Sequence, residues 1–177
     1  MILGLDISTS IVGVAILDRS GEIIHNEAWD IRNKKKFPSS FKKIRFIKDK
    51  LIDLKVRYCI DKIFIEKSLQ TFRSGFSSAK TLSLLSSFNG TTSWFCYDLF
   101  DIEPEYISAS SARKLCGIKI PKGEKAKGVV LQFLLDNEPK FTVEYTKHNN
   151  PKPGYYDMAD SIVIARAGFR LCQKMKK

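Results

Sequence analysis

Met1-Ile-Leu-Gly-Leu-Asp6-Ile-Ser-Thr-Ser10-Ile-Val-Gly-Val-Ala-Ile-Leu17 is the stretch from which the rest of the chain is read. Two apolar runs rich in β-branched residues, Ile2 to Leu5 and Ile11 to Leu17, read as strands, and one carboxylate, Asp6, stands at the exit of the first. An acid that ends a buried strand has to be hydrated, paired or metal-bound, because an unpaired charge is costly to desolvate. Asp6 could also do no more than organise a turn through Ser8 and Thr9. The opening stretch alone does not separate these readings; three acids downstream, Glu66, Asp157 and Asp160, favour the first.

Outward from that opening, Asp18 to Gly21 makes a turn and Glu22 to Trp29 returns as a third strand, giving an antiparallel meander. Pro38-Ser-Ser40 starts a helix on which Phe41, Ile44, Ile47, Leu51 and Leu54 recur at three- and four-residue steps, with Lys42, Lys43, Arg45, Lys48, Lys50 and Lys55 between them. Ile60 to Ile65 reads as a short buried strand and is followed at once by Glu66, a second acid at a strand end. Residues 67 to 77 have neither period and mix Lys67 and Arg73 with Phe72 and Phe76, as functional loops often do. A helix is expected from about Ser78 to Phe88, closed by Asn89-Gly90, with Trp94 to Leu99 as the next strand. Glu105 to Ser108 reads as a short fifth strand, and Ser108 or Ser110 caps a helix that Gly117 ends. Lys119 to Lys127 is a second basic loop and helix start, leading into a helix through Leu135. Residues 136 to 154 read as irregular and mobile, and a last helix runs from Asp157 to about Lys174.

The 177 residues suit a single domain, and 44% hydrophobic residues are enough for a core. No apolar run approaches the ~20 residues of a membrane span, and a signal peptide's basic lead-in and cleavage region are missing. The expectation is a soluble, non-secreted, cytoplasmic protein of a bacterial or phage-infected cell. Cys59, Cys96, Cys116 and Cys172 form no C-x-x-C pair, which argues against a zinc site or a disulfide framework. The formal charge is +11, and residues 31 to 80 alone hold 15 Lys and Arg against four acids, an excess equal to that of the whole chain. A solvated helix face could carry such charge for solubility; its concentration favours nucleic acid.

Asp157 and Asp160 lie three apart in the first turn of the last helix, hence on one face. A helix N-terminus favours negative charge there, so the pair alone needs no further role. An acid after strand one, an acid after a later strand and a D-x-x-D pair opening the final helix together form the oxygen-rich set that a two-metal phosphodiester site requires.

Gly4-Leu-Asp6 in the first strand, the apolar strand ending in Glu66 and the helix opening Asp157-Met-Ala-Asp160 resemble the RuvC Holliday-junction resolvases of the RNase H-like superfamily. The resemblance in element order covers nearly the whole chain. It implies an α/β fold with a five-stranded mixed sheet, the first three strands antiparallel, flanked by helices on both faces. It also implies a Mg²⁺-dependent endonuclease with two ions per site, Mn²⁺ substituting, acting as a homodimer on branched four-way DNA. By that resemblance Asp6, Glu66, Asp157 and Asp160 are the catalytic metal ligands, Phe72, with Phe76 behind it, probes the junction centre, and Lys125, or next Lys122, meets the reacting phosphate. Lys42, Lys43, Lys48, Lys67 and Arg73 complete the expected DNA-binding set. The segment after Glu66 is slightly long and residues 136 to 154 look like an insertion, as in a divergent phage-type member with altered sequence preference. Rival readings are an RNA–DNA hybrid nuclease on the same fold, an actin-like ATPase, for which the chain is too short, and a non-catalytic nucleic-acid-binding module.

Overall fold

The computed structural model describes residues 1–67 and 79–174. In chain order it holds β1 (Ile2–Asp6), β2 (Ile11–Leu17), β3 (Ile23–Asp30), α1 (Ser40–Arg57), β4 (Lys62–Glu66), α2 (Ala79–Phe100), β5 (Glu105–Ile107), α3 (Ala109–Cys116), α4 (Ala126–Asn137) and α5 (Tyr155–Lys174). The strands form one sheet in the order β3-β2-β1-β4-β5. β1, β2 and β3 are antiparallel, as a meander requires, while β4 joins β1 and β5 joins β4 in parallel. The expected mixed five-stranded sheet with helices on both faces is therefore the observed architecture.

Side chains alternate across a strand, so each strand supplies two different surfaces. One surface carries Leu3, Leu5, Val12, Val14, Ile16, Ile63 and Ile65, which pack with Ile47, Leu51 and Leu54 of α1 and with Phe88 and Cys96 of α2. The other carries Ile2, Ala15, Leu17, Phe64 and Ile107 and is covered by α5 together with α3 and α4. Gly4 and Gly13 belong to this second surface and face the backbone of α5. A Cβ on Gly4 would lie 2.6 Å from both Ala165 N and Ser161 O, and one on Gly13 only 1.9 Å from Asp157 O. Any side chain at either position would hold α5 off the sheet.

Helix α1 begins where Ser39 accepts a hydrogen bond from Lys42 N, and it buries Ile47, Leu51 and Leu54. Phe41, expected on the same stripe, instead stands 84% exposed. The expected strand at Trp94 to Leu99 is the second half of α2, which continues through Asn89 and Gly90. Its aromatic content suits a strand, yet the buried residues Phe88, Thr92 and Cys96 recur every four, a helical period. Asn89 does not end the helix: its side-chain amide donates to the Glu66 carbonyl at 3.2 Å, fastening α2 to the end of β4. The expected short fifth strand is β5, followed by α3 with Ser108 as N-cap and Gly117 at φ 76 as C-cap.

Residues 138–154 are irregular, as expected, but anchored. Glu138 receives both Nε and Nη2 of Arg166 at 2.5 Å, Phe141 is buried, and Tyr145 bridges to Pro151. Among the described residues no helix is long and apolar enough to cross a membrane. The cysteines are free, with Cys96 and Cys116 buried and Cys59 exposed.

Candidate active site

Asp6 ends β1 and Glu66 ends β4, neighbouring strands that run parallel. The last paired residues are Leu5 and Ile65, and the same register carried one step further sets Asp6 beside Glu66. Both belong to the α5 surface, because Gly4 and Phe64, two residues earlier, face that helix. Across the sheet Asp6 pairs with Gly13, the residue over which the Asp157 carbonyl lies. The missing side chain at Gly13 thus allows the first turn of α5, with Asp157 and Asp160, to come down next to Asp6. Asn26 reinforces this placement by donating its amide to Val14 O at 2.9 Å and to Met158 O at 3.4 Å.

The turn after β1 is held by Ser8, whose hydroxyl accepts from Ile11 N at 3.0 Å and donates to Ile11 O at 2.6 Å. Asp6 is not needed to organise it. All four acids are half-buried and keep some contact with solvent. Burial is the leading reason that their carboxyls are held above the ordinary range. Asp6 is raised well up, next by repulsion from Glu66, Asp160 and Asp157. Glu66 is raised to about 7, with Asp160 as the repelling neighbour, and Asp160 to about 6, with Asp157 as its own. Asp157 is raised more gently and is balanced by Lys127 and Arg32.

Lys127 opposes the rise at all four acids, and Arg113 opposes it at Glu66 and Asp160. Neither was singled out from sequence. Lys127 lies two residues past Lys125, inside the first turn of α4, whereas Lys125 is the residue preceding that helix and makes no side-chain cap bond. Placing the helix start one residue after Lys125 would have pointed to Lys127. Lys122 and Lys125 are exposed in the loop before α4. On α1, Lys42 is exposed, Lys43 donates its ammonium to Thr9 O at 2.6 Å, and Lys48 lies 5.2 Å from the centre of the Phe95 ring. Lys67 is exposed, and its backbone N–H donates to Ile107 O at 2.9 Å, extending the β4–β5 pairing by one step. Phe72, Arg73 and Phe76 lie outside the described residues.

The donor set consists of hard carboxylate oxygens that repel one another, which is the chemistry a divalent cation neutralises. Among the described residues, no three His, Cys, Asp or Glu side chains form a ready-made metal cage. Mg²⁺ does not demand one, because it commonly keeps several waters and takes one or two carboxylates plus substrate phosphate oxygens. The residues fit such an ion.

Neither family models nor curated proteins yielded a match to this sequence. Solved structures do match along nearly the whole chain. RuvC of T. thermophilus, in a complex with a Holliday junction substrate, superposes with a TM-score of 0.67 at 10% identity, covering 98% of this chain and 94% of that one. The fold is that of RuvC. A second structure of Thermus thermophilus RuvC gives a TM-score of 0.63 at 14% identity, over 98% and 96% of the two chains. The yeast mitochondrial Holliday junction resolvase Ydc2 gives 0.60 at 15% identity, over 99% of this chain and 80% of its own. At these identities the likeness establishes the RuvC fold, and the chemistry has to be argued from the acids that this chain places on it.

Proposed function

We propose that the protein is a Mg²⁺-dependent endodeoxyribonuclease that resolves four-way DNA junctions by hydrolysing phosphodiesters at the Asp6–Glu66–Asp157–Asp160 site. The observation that carries this reading is the convergence of four repelling carboxylates on one end of one sheet surface, with Lys127 and Arg113 beside them. Mg²⁺, or Mn²⁺ in its place, would polarise the phosphate and make water nucleophilic at neutral pH when bound. The four acids would hold up to two such ions. Protons retained by Glu66 and Asp160 near neutrality would leave as the carboxylates take up the cation. Lys127 would meet the negative charge of the phosphate, and Arg113 would steady the strand on the Glu66 side.

The surrounding surface supports the substrate class. Lys42, Lys67, Lys122 and Lys125 are exposed and available to phosphates, whose neutralisation releases counterions and makes binding fall with salt. Arg73 and the junction-probing Phe72 belong to the same reading from sequence. Resolving a junction takes two cuts, which a homodimer with two sites would supply. Trp94 and Tyr97 on α2, 57% and 53% exposed, are large apolar groups of the kind that such an interface covers.

The test is incubation with a synthetic four-way junction, a matched duplex and an RNA–DNA hybrid, each with Mg²⁺ and with EDTA. Symmetric nicking of the junction alone, abolished by EDTA, is expected. Preferred cutting of the RNA strand in the hybrid would replace the resolvase reading with that of a hybrid nuclease.

A further inference from the structure

The segment between α4 and α5 does more than connect them. It starts beside the end of the sheet remote from the acids, where Glu138 pairs with Arg166, which also donates to Gly21 O, and Lys140 pairs with Glu22. It then passes Ile23 to Asn26 along the β3 edge and reaches the acid end, where Gly154 lies against Ala28 and Ile11. Within this path, residues 144–152 form a small hairpin. Lys152 N donates to Glu144 O at 2.8 Å, Thr146 N to Asn150 O at 2.8 Å and Asn149 N to Thr146 O at 2.9 Å. Tyr145 bridges to Pro151, and the Lys152 ammonium meets the Glu144 carboxylate. Asn149 at φ 58 turns the tip, a conformation that Asn tolerates better than most residues.

Lys147, His148, Asn149 and Asn150 are all exposed at this tip, so none contributes to a core. They offer donors and acceptors of the kinds that read base edges, Asn toward adenine and Lys toward guanine. A pre-formed hairpin loses little entropy on binding. We propose that residues 144–152 are a DNA-reading finger whose tip contacts base edges of the junction arm next to the cut. This rests on the nuclease reading above and adds to it the source of sequence preference. Distance permits the contact: Asn149 precedes Asp157 by eight positions, a span of at most ~29 Å even if fully extended. One turn of duplex is about 34 Å, so the tip would reach bases within about a turn of a phosphate held at Asp157. Arg32, held by Asp30 at the end of β3 and felt by Asp157, marks the same flank as basic.

The experiment uses four-way junctions with randomised base pairs around the crossover, cut in Mg²⁺, with the product ends sequenced. Wild-type protein is compared with the double variant His148→Ala/Asn150→Ala, and thermal melting verifies that both are folded. The wild type should concentrate its cuts on a subset of sequences. The variant should spread them, losing at least about tenfold on the favoured sequences, the discrimination that one good base contact supplies. Disfavoured sequences should be cut as before. An unchanged cut distribution, a wild type with no preference, or an equal loss on every sequence would each overturn the finger while leaving the nuclease reading intact. A wild type that cuts no junction in Mg²⁺ or Mn²⁺ would overturn the nuclease reading and the finger with it.

Discussion

The two surfaces of the sheet are built from the same strands by opposite rules. Toward α1 and α2 the strands present Leu, Val and Ile, and the helices answer with Ile47, Leu51, Leu54 and Phe88. Toward α5, β1 and β2 present Gly4, Gly13 and Ala15, and the helix answers with Ala159, Ser161 and Ala165. The first surface gains from the area it buries. The second gives up part of that gain so that a helix end with two acids can come close to the end of β1, where burial and mutual repulsion strain the carboxyls. Both surfaces bury a core, but only the one toward α5 also carries the acids.

Gly13→Ala should break this division most severely. The added methyl meets the Asp157 carbonyl, so α5 must shift. Overpacking of this kind costs ~1–3 kcal/mol, and displacement of catalytic groups by about 1 Å costs ~10²-fold in rate. Denaturant unfolding and junction cleavage should both fall, the second more than the first. Leu51→Ala, fully buried on the opposite surface, should cost ~2–5 kcal/mol in unfolding free energy while leaving cleavage per folded molecule nearly unchanged. If Leu51→Ala cut as poorly as Gly13→Ala, the two surfaces would not be separable.

Smaller effects sharpen the picture of the α5 surface. Lys127→Ala should slow cleavage by about tenfold or more and Lys125→Ala by much less, since Lys127 is the lysine that acts on all four acids. Single-turnover rates on a junction decide between them. The smallest effect is in the pH dependence of metal-free stability. Glu66 and Asp160 are held at about 7 and about 6, above ordinary values of 4.5 and 3.8. Across that window the folded protein keeps protons that the unfolded chain has released. Their stabilisation is complete below about pH 4 and is lost as pH rises through 6 and 7. Relative to Glu66→Gln, metal-free wild type should therefore lose melting temperature between about pH 5 and 8, on the order of a few degrees, and Mg²⁺ should restore it.

Much of this was legible in the chain, for reasons that are local. The meander, β4 and α5 announce themselves through period and punctuation, and Asp6, Glu66, Asp157 and Asp160 stand at element ends that such patterns locate. What escaped depends on tertiary context. Trp94 to Leu99 has the aromatic content of a strand, and only the burial of Phe88, Thr92 and Cys96 at four-residue steps marks the helix that runs through it. The role of Gly13 lies in a contact with a residue 144 positions later in the chain. Lys127, two residues past Lys125 and inside the first turn of α4, is felt electrostatically by all four acids, which composition alone does not reveal. The anchoring of 138–154 rests on Arg166 and on the exposed pairing of Glu144 with Lys152, partners that composition does not connect.

The central claim is that the acids brought together by the close approach of α5 act as one metal-dependent nuclease site. Its most direct test is binding and cleavage of a four-way junction in Mg²⁺ by wild-type protein, Asp6→Asn, Glu66→Gln and Asp160→Asn. Each substitution should abolish cleavage while junction binding stays equal or tightens, because each removes a proposed ligand for the ion and a negative charge facing phosphate. Cleavage near the wild-type rate by any of the three would contradict it.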